Sequence, residues 1–360
     1  MLLLGVCACK NQNESSQVII AVNMYNDIGF FVDSNGEPLF NQQFEFVCPF
    51  SDGYALVMRD GKYGFIDTKG ELVIPCTLDQ VEDFHEGLAV ICKNGKYGYI
   101  NPQGEEVIPC KYDYACKFSE GLATVKLNNA WGFINQKGEE VIPCKYEDSM
   151  HFSNGLARVE QKEGYGYINT KGEEVIPCKY ELTWDFQEGL AYVKQNKKYG
   201  FINTKGEEVI PCKYDMVWDF HDGLARTELN DQFSFITPQG EEAFPTKYKH
   251  ARNFSNGLAR VEQEEGYGYI NTKGEVAIPC KYSLAEDFSE GLAAVCVGEA
   301  WGYINTKGET VIPPTYDYAT NFSNGLAGVE KDEVWSIINT EGKIIVEDCK
   351  GEGTAWSEVK

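Results

Sequence analysis

Residues 121 to 154 show the pattern that organises the whole chain. Gly121-Leu122-Ala123-Thr124-Val125-Lys126 alternates small or apolar residues with polar ones, the two-residue period of a half-buried strand. Asn128-Asn129 then offers a turn, since Asn tolerates the left-handed backbone region. Trp131-Gly132-Phe133-Ile134-Asn135 reads as a second strand, and Gln136-Lys137-Gly138-Glu139 as a tight turn in which Gly takes positive φ. Glu140-Val141-Ile142 is a third strand, ended by Pro143, which removes a ladder donor. Lys145 to Ser153 lead onward, with Phe152 as an apolar anchor. The segment predicts a three-stranded meander followed by a connector.

The same pattern returns every 34 residues. An aromatic-Gly-aromatic-Ile segment recurs with Gly64, Gly98, Gly132, Gly166, Gly200, Gly268 and Gly302, and degenerate copies stand at Phe233-Ser234-Phe235 and Trp335-Ser336-Ile337. Gly-Leu-Ala recurs from Gly87 to Gly325, and a proline from Pro75 to Pro313, in the same register. Three markers with one spacing define a repeat array. Counting from the Gly-Leu-Ala strand gives about ten repeats, from near Ile19 to the tail Trp356-Ser357-Glu358. No Gly/Ser-rich or Pro-rich linker interrupts residues 19–360, so one continuous array is expected, preceded by a separate segment over 1–18.

Tight hairpins require antiparallel pairing, which excludes a parallel β-helix. One repeat cannot bury enough apolar surface alone, whereas stacked neighbours make a continuous core. The expected architecture is all-β, an open superhelical stack of meanders, with a closed β-propeller as the alternative. The glycine after each first aromatic is expected to let a neighbouring ring lie on bare backbone. The seventh repeat, Gly223 to Asn256, should be the least regular because it carries Ser234, Phe244 and Thr246.

Tyr63-Gly64-Phe65-Ile66-Asp67, Trp131-Gly132-Phe133-Ile134-Asn135, the Lys-Gly-Glu turns, Val-Ile-Pro and Phe-Ser-Glu-Gly-Leu-Ala together resemble the WG-repeat, or KWG-repeat, family of bacterial proteins. The resemblance spans nearly all of residues 19 to 345. Most copies carry Tyr in place of Trp at the first aromatic, and two carry Ser in place of Gly. The resemblance implies β-rich repeats in exported or surface proteins, and it brings no catalytic residues.

Charge narrows the partners. A net charge of −23 argues against nucleic acid, which is bound by displacing counterions with Lys and Arg. It equally disfavours adsorption to anionic membranes. No apolar stretch is long enough for a transmembrane helix. The start, Met1-Leu2-Leu3-Leu4-Gly5-Val6-Cys7-Ala8-Cys9, looks like the end of a lipoprotein signal, with Val6 to Cys9 as a lipobox and Cys9 as the lipidated residue. It lacks a basic leading region, and its apolar run is short for a signal, as if the true start lay upstream. A lipid anchor would put the protein in a bacterial cell envelope; without one the expectation is the cytoplasm.

The chemistry-bearing residues follow the repeat rather than a unique site. Cys76, Cys110, Cys144, Cys178, Cys212 and Cys280 share the position after Pro, with no C-x-x-C and no zinc spacing, and read as small core fillers. His85, His151 and His221 flank the repeat Phe, and with His250 form no triad-like arrangement. Glutamate pairs such as Glu105-Glu106 follow the turn glycine in several repeats, whereas acid–base catalysis needs a single pair. No phosphate-binding glycine loop or nucleophile elbow is present. Lys111, Lys145, Lys179 and Lys213, two residues before an acid in an extended connector, suggest a Lys/acid ladder. No cofactor or metal is expected.

Copies differ in the connector, so binding is expected there. The candidate face comprises Tyr114, Met150, Trp184, Trp218 and Arg252, with Trp184 and Trp218 at one position of adjacent repeats. An exposed pair of tryptophans would make a protein hot spot or a sugar-stacking platform; buried, they would pack the core. The expected function is therefore a non-catalytic interaction scaffold for a protein partner. A module binding a surface glycan is the alternative, and an enzyme with an unrecognised site the third reading.

Overall fold

The computed structural model describes residues 7–9, 19–23, 28–33, 37–245, 248 and 250–347. The lipobox call at Cys9 falls on a strand position whose side chain lies outside the described residues, as do Thr246 and the tail after Glu347. Every described element is a strand, gathered into ten antiparallel sheets that follow one another along the chain. Eight of the sheets have four strands and two have three, so the expected three-stranded meander is corrected to four strands.

Two misreadings account for the difference. In the repeat at Tyr114, the strands are Tyr114–Ser119, Leu122–Leu127, Ala130–Asn135 and Glu140–Tyr146, hydrogen-bonded in that order. The end of the connector is thus the first strand. It kinks between Ala115 and Phe118, which breaks the alternation a strand would show in sequence. In other repeats this strand is a two-residue piece, such as Leu182–Thr183, followed by a bridge such as Gln187 to Leu190. The fourth strand, secondly, does not end at proline. It bulges, so that Gly132 alone is opposed by Pro143, Cys144 and Lys145, and pairing resumes at Trp131 with Tyr146.

Turns supply the local geometry. Glu120 and Gly121 both take positive φ, as do Asn128 and Asn129, giving the primed two-residue hairpins that match strand twist. In the third hairpin the Oδ1 of Asn135 accepts from the N–H groups of Lys137 and Glu139 at 3.0 and 3.1 Å. The last residue of the aromatic strand therefore caps its own turn.

Contacts divide the chain into two compact units, residues Phe40–Asp215 and residues up to Leu39 together with those from Met216. Within each, the core lies between successive sheets. Phe133 and Ile142 of one repeat pack with Phe152, Ala157 and Val159 of the next, and the same positions recur in the neighbouring clusters. Burial of a ring such as Phe152 contributes roughly 1.5–3 kcal/mol. In the second unit, Val22, Phe30 and Val32 of the first sheet join Leu326, Ile337, Ile345 and Val346 of the last. The seventh repeat is irregular as expected: its fourth strand is only Glu242–Phe244.

The bulge also corrects the role of the motif glycine. A Cβ on Gly166 would lie 2.4 Å from the Ile176 carbonyl oxygen and 2.7 Å from the Cys178 nitrogen. What approaches the bare backbone is the bulged fourth strand, not an aromatic ring.

Candidate functional site

Most recurring polar residues are occupied in joining repeats. The Tyr99 hydroxyl donates to the Cys116 carbonyl at 2.7 Å, and Tyr269 to Glu286 at 2.6 Å, each reaching the following repeat. Ser119 donates to the Phe152 carbonyl at 2.8 Å. The carboxylate of Glu86 accepts from the Gly121 N–H at 2.9 Å, and Glu120 does the same for Gly155 at 2.8 Å. In six repeats the glutamate after the turn glycine is held by the capping asparagine, as Glu139 is by Asn135 at 2.7 Å. These groups are structural.

The lysines form no ladder with the acids two residues on. Lys111, Lys145, Lys179 and Lys213 lie over the rings of Tyr112, Tyr146, Tyr180 and Tyr214 at 5.0 to 5.1 Å. The acids pair elsewhere: Asp113 with Lys96 and Asp215 with Lys198, both at 2.5 Å. A lysine stem prefers the adjacent ring, where its methylenes are covered and its ammonium stays wet.

The thiols after proline are half-buried, Cys178 fully so. The Sγ atoms of Cys178 and Cys212 sit 3.9 and 3.8 Å from the carbonyls of Val159 and Val193. Burial pushes Cys178 up to about 11, and nearby Glu174 adds to it. Cys116 is likewise pushed up to about 11, first by burial and then by Glu82. Burial lowers His85, with Lys117 acting in the same direction. Among the described residues no group of three or more His, Cys, Asp or Glu could hold a metal ion.

Two of the variable positions touch. One is the position two before the anchor Phe, occupied by Met150, Trp184, Trp218, Arg252 and Glu286; the other is the residue after Gly-Leu-Ala, occupied by Thr124, Arg158, Tyr192, Arg226 and Arg260. Within a repeat the two lie side by side: Trp184 stacks on Tyr192 at 5.8 Å and 12°. Across a seam they meet again, Arg158 lying 5.4 Å from the Trp184 ring and donating to the Thr183 carbonyl at 2.8 Å. Thr124 reaches the Met150 carbonyl at 3.3 Å in the same way.

The five candidate residues fall unevenly on this strip. Trp184 is 44% exposed, in the Phe40–Asp215 unit. Trp218, half-buried, belongs to the other compact unit, where it lies under the guanidinium of Arg226 at 3.6 Å. Arg252 is exposed one repeat further on, and Met150 is half-buried. Tyr114 stands apart in a row of first aromatics, 5.1 Å from Tyr97 and 5.8 Å from Trp131. Sequence reading missed Arg158, Arg226 and Arg260. A signal existed: the chain has only five arginines, and three occupy this one repeat position.

The family model for the WG containing repeat matches nine times, at residues 30–63, 63–97, 97–129, 131–164, 165–199, 199–233, 233–266, 267–299 and 301–335. No match was found among curated proteins. Solved structures are similar only in outline. BamB from Moraxella catarrhalis is 11% identical, covering 93% of this chain and 98% of that one at a TM-score of 0.34. Dihydro-heme d1 dehydrogenase NirN in complex with DHE is 13% identical, covering 84% and 74%, with a TM-score of 0.39. KlHsv2 with loop 6CD replaced by a Gly-Ser linker is 10% identical, covering 61% and 89%, with a TM-score of 0.36. Likeness at that level carries no argument about activity.

Proposed function

We propose, from the premise that this chain belongs to the WG containing repeat family, that it is a non-catalytic interaction scaffold whose variable strip carries recognition. One observation supports this above the rest. Recurring side chains are used in turns and seams, whereas Trp184, Tyr192 and Arg158 form an aromatic and cationic cluster with Trp184 44% exposed. Aromatic and arginine anchors of this kind dominate protein interfaces. Repetition extends such a surface without making one reaction centre. Attachment to a bacterial envelope through Cys9 is part of the proposal and rests on Val6-Cys7-Ala8-Cys9.

Capture from envelope extracts tests the surface. Retention of a defined protein by wild type and its loss in Trp184→Ala, with an unchanged denaturation midpoint, supports it; equal capture by both overturns it. Metabolic lipid labelling of wild type and Cys9→Ser, expressed from the full-length gene, tests the anchor, and an unlabelled wild type removes it. The parallel Trp184–Tyr192 stack also favours a second reading, a glycan-binding surface. Quenching of Trp184 fluorescence by a surface polysaccharide supports that reading, and silence across a polysaccharide panel rejects it.

A further inference from the structure

Arginine is scarce in this acidic chain, five residues against 55 Asp and Glu, yet Arg226, Arg252 and Arg260 fall in two successive repeats of one compact unit. Arg260 is answered by acids: Nη1 stands 3.4 Å from Glu286 and Nε 3.3 Å from Asp287. Arg226 is not. Only 8% of it is exposed, and its guanidinium lies 3.6 Å over Trp218 and 5.4 Å from the Phe233 ring. One Nη donates to the Ala251 carbonyl, but Nε is buried with no hydrogen-bond partner.

Its electrostatic surroundings make matters worse. Burial lowers Arg226 to about 10, and the next largest influence is the repelling charge of Arg252, ahead of the opposing Glu228 and Asp287. Arg252 itself is exposed and makes no ion pair among the described residues. A buried guanidinium with an unmade hydrogen bond, facing a second positive charge, is a costly arrangement. An oxyanion near both arginines would relieve the repulsion, since the guanidinium fork matches carboxylate and phosphate geometry.

We propose that Arg226 and Arg252, floored by Trp218, bind a ligand presenting a carboxylate or phosphate. This deepens the reading of the variable strip as the recognition surface and rests on it. The two are separable, because the capture test uses Trp184 in the other compact unit.

Titration calorimetry and tryptophan fluorescence on the full chain test it, with inorganic phosphate, D-glucuronate and, as the neutral control, D-glucose. Saturable binding of one of the anions and none of glucose is expected, and the anion that binds distinguishes phosphate from carboxylate. Arg252→Gln, at an exposed position where the fold is not at stake, should weaken binding about tenfold or more. Arg226→Lys keeps the charge but loses the fork, and should weaken it comparably. Arg59→Gln, the same charge change in the other compact unit, should leave it unaltered. Absence of saturable binding by both anions, or equal affinity in wild type and Arg252→Gln, overturns the proposal.

Discussion

The Cβ that Gly132 lacks would stand 2.6 Å from the backbone nitrogen of Cys144. Side-chain carbons do not approach backbone that closely, so the glycine and the proline bulge opposite it are one device. At Ser336, where serine replaces the glycine, that bulge is missing: Ser336 pairs with Glu347 and Ile337 with Val346 in unbroken register. Gly132→Ala should destabilise the protein by about 1–3 kcal/mol through overpacking. Ser336→Ala should change stability by less than about 0.5 kcal/mol. Urea denaturation followed by tryptophan fluorescence checks both.

The turn cap at the end of the Asn- and Asp-terminated aromatic strands gives a second expectation. Asn169 accepts from the N–H groups of Lys171 and Glu173, each at 3.0 Å, and Asp67 makes the corresponding bonds to Lys69 and Glu71 at 2.9 Å. Asn169→Ala should therefore lower stability by about 1 kcal/mol, while Asn169→Asp keeps most of it. The same denaturation series distinguishes them.

Tyrosine predicts the alkaline limit. Tyr99, Tyr167, Tyr269 and Tyr303 are fully buried, and burial is the leading cause raising all four above the usual phenol range. The folded state holds these protons more tightly than the unfolded chain. Their contribution is thus fully present below the unfolded value of about 10 and is lost as pH rises above it. Denaturation midpoints should hold to about pH 10 and then fall, with phenolate absorbance of these tyrosines appearing only on unfolding. Their early titration in the folded protein would contradict the assignment.

Thiol chemistry should follow burial. Cys178 is buried and pushed up to about 11, whereas Cys76 is half-buried and raised less, with Arg59 opposing the shift. A disulfide reagent at neutral pH should react with Cys178 more slowly than with Cys76, because only the thiolate attacks. Mass spectrometry of trapped adducts against time checks the order.

Much of this fold was legible because its signals are short-range. A hairpin turn depends on residues two to four apart, so Asn128-Asn129 and Gln136-Lys137-Gly138-Glu139 read correctly from sequence. The first strand did not, because the kink between Ala115 and Phe118 spoils its alternation. Pro143 misled for a related reason: a bulge lets a strand continue through a residue that cannot donate. The candidate surface was half legible. Trp184 and Arg252 stood out as departures from the repeat, while Arg226 looked like an ordinary alternating strand residue until it was found under cover with Nε unpartnered.

By itself the sequence determined the 34-residue period, the hairpins and the alternation that assigns each side chain to a face, all consequences of backbone geometry over a few residues. Tertiary structure alone decided which variable side chains meet. Arg158 reaches Trp184, and Arg226 the carbonyl of Ala251, across seams between sheets. Such meetings depend on how one sheet stacks on the next, a packing relation that no local pattern encodes.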